Sequence, residues 1–258
     1  MIVVHHLNES RSQRVLWLLE ELGLPYEIKH YARNASTRLA PPELMAVHPL
    51  GKSPVLEADG LTIIESGAIV DYLIRRHGGA QLQPAAGSPA FEAYNQWLHY
   101  AEGSAMLPLL LKMYVGRLGD AGAPLAPRID GELKNHLGYV DRALQGRDWL
   151  VGDTLTGADI QMSFVGEAAR GLRASYPAMD AWVKRFQQRP AYRRALESRE
   201  FLVGDSLTGA DIQMSFVGEA ARGLRASYPA MDAWIRRLQA RPAYQRALVR
   251  GGPYALAG

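Results

Sequence analysis

Residues 54–66 read Pro54-Val55-Leu56-Glu57-Ala58-Asp59-Gly60-Leu61-Thr62-Ile63-Ile64-Glu65-Ser66. Asp59-Gly60 between two short apolar runs signals a hairpin, because a two-residue turn needs a left-handed backbone that Asp and Gly tolerate. The spacing predicts antiparallel strands at 54–57 and 61–64. Ser66 then opens a helix that runs to His77 and stops at Gly78-Gly79. Upstream, residues 2–7 form a short apolar run, read as a strand. Residues 12–22 carry Val15, Leu16, Leu18, Leu19 and Leu22 at helical spacing and end at Gly23. Residues 25–31 alternate as a second strand, and residues 42–47 suit a short helix. The order is βαβ, a connecting helix, then ββα. A parallel start followed by an antiparallel hairpin predicts a small mixed α/β sheet with helices packed on it.

Residues 79–90, rich in Gly, Ala, Pro and Gln, read as a linker, and strand signals stop after them. Helices are expected at 91–115, at 127–144 and throughout the remainder, so the second domain, 91–258, is all-α. Within it lies an internal repeat. Residues 150–198 match residues 202–250 at an offset of 52, with 41 of 49 positions identical. Copies this similar indicate a recent or engineered tandem duplication. Each holds Thr-Gly-Ala-Asp (156–159 and 208–211), in which Thr156 and Thr208 are expected N-caps, with Asp in place of the usual Glu of a capping box. Connectivity predicts that the first copy fills the regular place in the helical domain and that the second is appended beyond it.

The chain has 258 residues, 48% of them apolar, enough for a sizeable core. It has no cysteine, so a disulfide framework, a thiolate metal site and a catalytic Cys are excluded. No metal, no membrane span and no signal peptide are expected, and the expected location is cytoplasmic. The net charge of +3 raises the question of nucleic acid. However, residues 202–253 hold seven Arg and four acids, which is the whole excess, and these cations sit at helical spacing without interleaved aromatics. A solvated helix face explains them, and no nucleic-acid partner is expected.

Three segments could carry chemistry. Asn8-Glu9-Ser10-Arg11-Ser12-Gln13-Arg14 joins the first strand to the first helix. Free N–H groups and partial positive charge at a helix N-terminus stabilise a thiolate, and a hydroxyl there can donate one more hydrogen bond. Ser10 and Gln13 also spell a capping box, so Ser10 is either a cap or a catalyst. In His48-Pro49-Leu50-Gly51-Lys52-Ser53-Pro54, a cis Pro54 would turn the Ser53 backbone into a cleft, and Lys52 offers a point charge for a carboxylate. Taken alone, these two read first as a loop proline and a surface lysine. In Glu65-Ser66-Gly67-Ala68-Ile69, Ser66 could hold a carboxylate at the helix start and Glu65 an amine, or Ser66 could be a simple cap. Together the segments match a thiol, a peptide backbone, carboxylates and an amine, which are the groups of a tripeptide thiol.

Residues 1–78 resemble the N-terminal domain of cytosolic glutathione S-transferases. The segments that carry the resemblance are residues 10–14, 49–54 and 65–69, while residues 156–159 and 189–192 resemble the family's C-terminal domain. The resemblance implies a thioredoxin-like glutathione-binding domain at 1–78 followed by the all-α domain, and a cytoplasmic homodimer active in detoxification. It implies glutathione as co-substrate, activated as a thiolate that attacks a hydrophobic electrophile. Ser10, four residues before Arg14, is similar in position to the serine of theta-like classes, with Ser12 as the alternative. Lys52, Ser53, Pro54, Glu65 and Ser66 would bind glutathione. The family usually has valine where this chain has Ser53, a contact made through backbone. Tyrosine-type classes place their hydroxyl on the first strand, where this chain has His5 and His6, read here as strand residues. The electrophile would sit on the first long helix of the second domain, against Met106, Leu107, Leu110, Met113 and Tyr114. A binding or scaffold protein of the same fold, and a glutathione-dependent peroxidase, are the competing functions.

Overall fold

The structure, a computed structural model, describes residues 1–34, 36–197 and 229–251. They fall into two compact units, Met1–Leu196 and Glu197–Gly258. The first unit opens with β1 (Val3–Leu7), α1 (Ser12–Leu22), β2 (Glu27–Tyr31), α2 (Pro42–Val47), β3 (Val55–Ala58), β4 (Leu61–Ile64) and α3 (Ser66–Arg76). The sheet order is β2-β1-β3-β4. β1 runs parallel to β2, with His6 opposite His30, and antiparallel to β3, while β3 and β4 form the hairpin. At its turn Asp59 and Gly60 take φ values of 52° and 77°, the left-handed pair that a two-residue hairpin requires. This is the thioredoxin-like arrangement expected from the sequence.

α1 is the hub of the core. Its first eight residues, Ser12 to Leu19, are all buried, because α1 lies between the sheet, α3 and a helix of the second domain. A helix buried on every side needs apolar residues all round, which Val15 to Leu19 supply.

Helices α4 (Pro89–Tyr100), α5 (Met106–Gly116), α6 (Ala126–Leu144), α7 (Gly157–Ala168), α8 (Pro177–Gln187) and α9 (Pro190–Glu197) follow. Residues 91–115, read above as one helix, thus form two, separated by a π-helical turn at Ala101–Ala105. α7 starts as expected at Thr156: the Asp159 carboxylate accepts the Thr156 N–H and hydroxyl, and also the Leu150 N–H and the Trp182 indole N–H. The first copy of the repeat is built into this unit. Its Arg189 grips Glu21 of α1 through two hydrogen bonds of 2.6 and 2.8 Å, and Tyr192 meets Trp17 edge-on.

The second unit contains α10 (Pro229–Ala240) and α11 (Pro242–Gly251), which pack on each other. They begin 52 residues after α8 and α9, so the second copy repeats the first in these helices. Thr208 and the segment matching α7 lie outside the described residues. Among the described residues no helix is long and apolar enough to cross a membrane.

Candidate functional site

The loop from β1 to α1 places Ser10 and Ser12 side by side, their hydroxyl oxygens 2.7 Å apart. The N-cap residue of α1 is Arg11, not Ser10. Ser10 Oγ does accept the Ser12 N–H, at 3.3 Å, but neither side-chain atom of Gln13 has a hydrogen-bond partner. The capping box read from Ser10 and Gln13 is therefore not closed. Ser12 instead meets His6 Nδ1 at 2.8 Å, and Ser10 lies 3.3 Å from Ser53 Oγ. Ser53 accepts the Leu7 N–H and donates to the His5 carbonyl, which locks the segment before β3 onto the end of β1. The Ser53–Pro54 peptide is cis.

A second cluster forms where α1, α3, α7 and the π-helical turn meet. Arg14 is fully buried, and burial lowers its pKa to about 10 against the opposing pull of Glu102, so it stays charged at neutral pH. Its Nη1 donates to Glu102 and to Ser66 Oγ, while Arg11 Nε donates to Glu102 from the other side. Both guanidinium groups stand over the Phe164 ring, at 5.3 and 5.2 Å. Ser66 Oγ also accepts from Gln161 Nε2 at 3.1 Å. With two donors aimed at its oxygen, the Ser66 hydroxyl at the start of α3 has only its proton left for a further bond. Glu65, just before it, has φ 66°, a left-handed backbone on a non-glycine residue. Such strain is held where the surrounding structure over-determines it, often at ligand sites.

These elements enclose one cleft of about 220 Å³. Lys52, Ser53, Pro54, Glu65 and Ser66, drawn from two separate segments, all line it, together with Arg11, His48, Leu50 and Glu102. Lys52 and Glu65 are exposed and Ser66 is buried. Ser10 and Ser12 are both buried and lie behind the cleft wall, Ser10 against Ser53 and Ser12 against His6. His5 and His6 are buried in β1, as read, yet His6 touches the hydroxyl pair. Of the residues expected against the electrophile, Met106 is enclosed in the core and serves packing. Leu110 is partly covered, and Leu107, Met113 and Tyr114 are exposed on α5.

Sequence reasoning missed Glu102 and Gln161. Neither sits in a motif. Glu102 comes from the π-helical turn, and Gln161 from α7, which packs on α1 and α3.

Residues 1–75 match the family model described as "Glutathione S-transferase, N-terminal domain", and residues 104–190 match "Glutathione S-transferase, C-terminal domain". Glutathione S-transferase 3 of Schizosaccharomyces pombe is 36% identical over 217 residues, spanning 78% of this chain and 88% of that protein. A solved glutathione S-transferase from Actinobacillus pleuropneumoniae is 35% identical, covers 80% of this chain and 95% of its own, and superposes with a TM-score of 0.72. A solved glutathione transferase family member from Pseudomonas fluorescens, with two glutathione bound, is 30% identical over 76% of this chain and 92% of its own, with a TM-score of 0.65. The chain belongs to the glutathione S-transferase family.

Proposed function

We propose that this chain binds glutathione in the cleft between Lys52 and Ser66, activates its thiol as a thiolate and directs it at an apolar electrophile. The observation that carries this reading is the convergence of Lys52, Ser53, Pro54, Glu65 and Ser66 on one cleft, with Ser10 against its Ser53 wall. Each has a job suited to its chemistry. Lys52 offers charge to a carboxylate, the Ser53 backbone pairs with the peptide, Ser66 donates to a second carboxylate, and Glu65 accepts the amine. Ser10, before the first turn of α1, donates to the sulfur, whose negative charge the α1 N-terminus also favours. Ser12 is fully buried, which makes it the weaker candidate for touching substrate. The electrophile is placed on the exposed part of α5, at Met113 and Tyr114, with Leu110 behind them. An apolar, adaptable surface there suits a broad range of small molecules.

The test combines binding and turnover. Calorimetric titration with glutathione should show weaker binding in Lys52→Ala and Ser66→Ala. Turnover of an aryl halide should fall in Ser10→Ala with little loss of glutathione affinity. A hydrogen bond to a charged group contributes roughly 1.5–3 kcal/mol, or about 10- to 150-fold in rate. Parental binding in both affinity variants would mean the site is misplaced. Glutathione binding with no turnover of aryl halides or hydroperoxides would leave a binding protein on a transferase fold.

A further inference from the structure

The hydroxyl protons around Ser10 can be counted, because several of the hydrogen bonds have a forced direction. A carbonyl cannot donate, so the Ser53 proton is committed to the His5 oxygen at 2.8 Å. The Leu7 N–H points at Ser53 Oγ, so Ser53 is an acceptor there as well. Ser53 thus has no proton to give Ser10. Ser10, Ser12 and His6 Nδ1 remain, joined at 2.7 and 2.8 Å. Each hydroxyl has one proton, and with the Ser12 proton used inside this three-member chain it can point in only two directions.

In one direction Ser10 donates to Ser12 and Ser12 donates to a bare His6 Nδ1. The Ser10 proton is then turned away from the cleft and is lost to an incoming sulfur. In the other direction the His6 Nδ1–H donates to Ser12 and Ser12 donates to Ser10. Ser10 Oγ, already taking the Ser12 N–H at 3.3 Å, is then filled with donors, and its own proton faces Ser53 Oγ at 3.3 Å, a long bond that an incoming sulfur can replace. Only this second state suits a thiolate. Hydrogen bonds in series also polarise one another, so a donor at the far end strengthens the last bond.

We propose that His6 is a positioning residue for thiol activation: its Nδ1–H, acting through Ser12, turns the Ser10 hydroxyl proton toward the glutathione sulfur. The proposal rests on the reading of Ser10 given above. His6 does not touch the substrate. It is buried on the inner face of β1, with the His30 ring edge-on at 5.3 Å, and Ser12 stands between it and Ser10. The chain explains why two buried serines sit at this loop, one of which a purely capping role would not need.

The test is the titration of the bound glutathione thiol, followed by thiolate absorbance in the full-length protein. His6→Phe keeps a ring of similar bulk and removes the donor. His6→Asn keeps an N–H close to the Nδ1 position. The thiol pKa should rise by about one to two units in His6→Phe and in Ser12→Ala, and stay near the parental value in His6→Asn. The double variant His6→Phe/Ser12→Ala should titrate like the single variants, since both cut the same chain. Affinity for S-methylglutathione, which has no thiol proton, should be unchanged throughout. A parental titration in His6→Phe, or a double variant showing the sum of the two single effects, would overturn the role of His6. A parent protein that does not bind S-methylglutathione would overturn the glutathione site itself, and the role of His6 with it. Ser12→Ala tests the same chain if His6→Phe fails to fold, and a parental titration in it counts equally against the proposal.

Discussion

Arg14 Nη1 lies 2.8 Å from Glu102 Oε1, an ion pair between residues 88 apart that joins the start of α1 to the π-helical turn. The Arg14 side chain has no exposure, whereas Glu102 keeps 27% of its own. The pair therefore contributes mainly by giving a buried cation its counter-charge.

Removing that counter-charge should be costly for folding. Glu102→Ala is expected to lower stability by roughly 1.5–3 kcal/mol, the range for hydrogen bonds to charged groups, with the partial exposure of Glu102 keeping it from going higher. Glu102→Gln, which keeps one acceptor oxygen, should lose less. Scanning calorimetry of the three proteins checks both the direction and the order.

Glu65 sets stability against binding. A side chain at φ 66° is expected to cost about 1–3 kcal/mol, which glycine does not incur. Glu65→Gly should therefore fold at least as stably as the parent while binding glutathione more weakly, because the carboxylate proposed to hold the amine is gone. A lower Tm together with parental affinity would contradict both halves of this expectation.

Asp159 links stability to pH. Burial raises its carboxyl from 3.8 to about 6, against the pull of the hydrogen bonds from Leu150, Thr156 and Trp182. A carboxyl whose pKa is raised by folding holds its proton more tightly in the folded than in the unfolded chain. Its contribution therefore favours folding increasingly as pH falls through about 6 toward the unfolded value, and this gain is absent above that range. Asp159→Asn does not titrate. The Tm of the parent should therefore rise relative to that of the variant from neutral pH down to about pH 4. A relative Tm that stays constant or falls would show that the carboxyl is not held up by burial.

Ser53→Val puts back the residue usual in the resembling family and should not be harmless in this chain. The Leu7 N–H and the His5 carbonyl would each lose the bond to this hydroxyl, and a buried donor left unsatisfied at Leu7 costs about 1–3 kcal/mol. Chemical denaturation should show a lower midpoint with an unchanged slope. Equal stability would mean that water or a backbone shift replaces the hydroxyl.

The Ser53 case shows how far the sequence could be read. The hairpin was legible because Asp59-Gly60 is a local signal, and the start of α7 because Thr156 and Asp159 are three residues apart. Both depend on neighbours in the chain. The segments at 8–14, 48–54 and 65–69 were legible as separate candidate segments, and the fold brings the last two onto one cleft with Ser10 behind it. What the sequence hid was side-chain geometry between distant residues. Ser53 reads as a backbone contact until its hydroxyl is seen between Leu7 and His5. His6 reads as one more strand residue until it is seen 2.8 Å from Ser12. Glu102 carries no local pattern at all, and only the packing of α1 against the helical domain shows what it does.

The π-helical turn at Ala101–Ala105 has a consequence for engineering this region. An α-helix advances about 100° per residue, and a π turn accommodates one residue more than an α turn would. The turn therefore takes up one residue beyond what an α turn holds, while the helices on either side keep their faces. Deleting a single residue inside it would not leave a local gap. It would let the turn relax to an ordinary α turn, with α4 running on into α5 and Met106 still facing the core. A one-residue deletion in the regular part of α4 has no such slack. It would swing Met106 and the side of α5 that bears Met113 and Tyr114 about 100° around the axis, unless the π turn gave up its extra residue in compensation. The turn is thus the one place in this pair of helices that can lose a residue and leave the faces where they are.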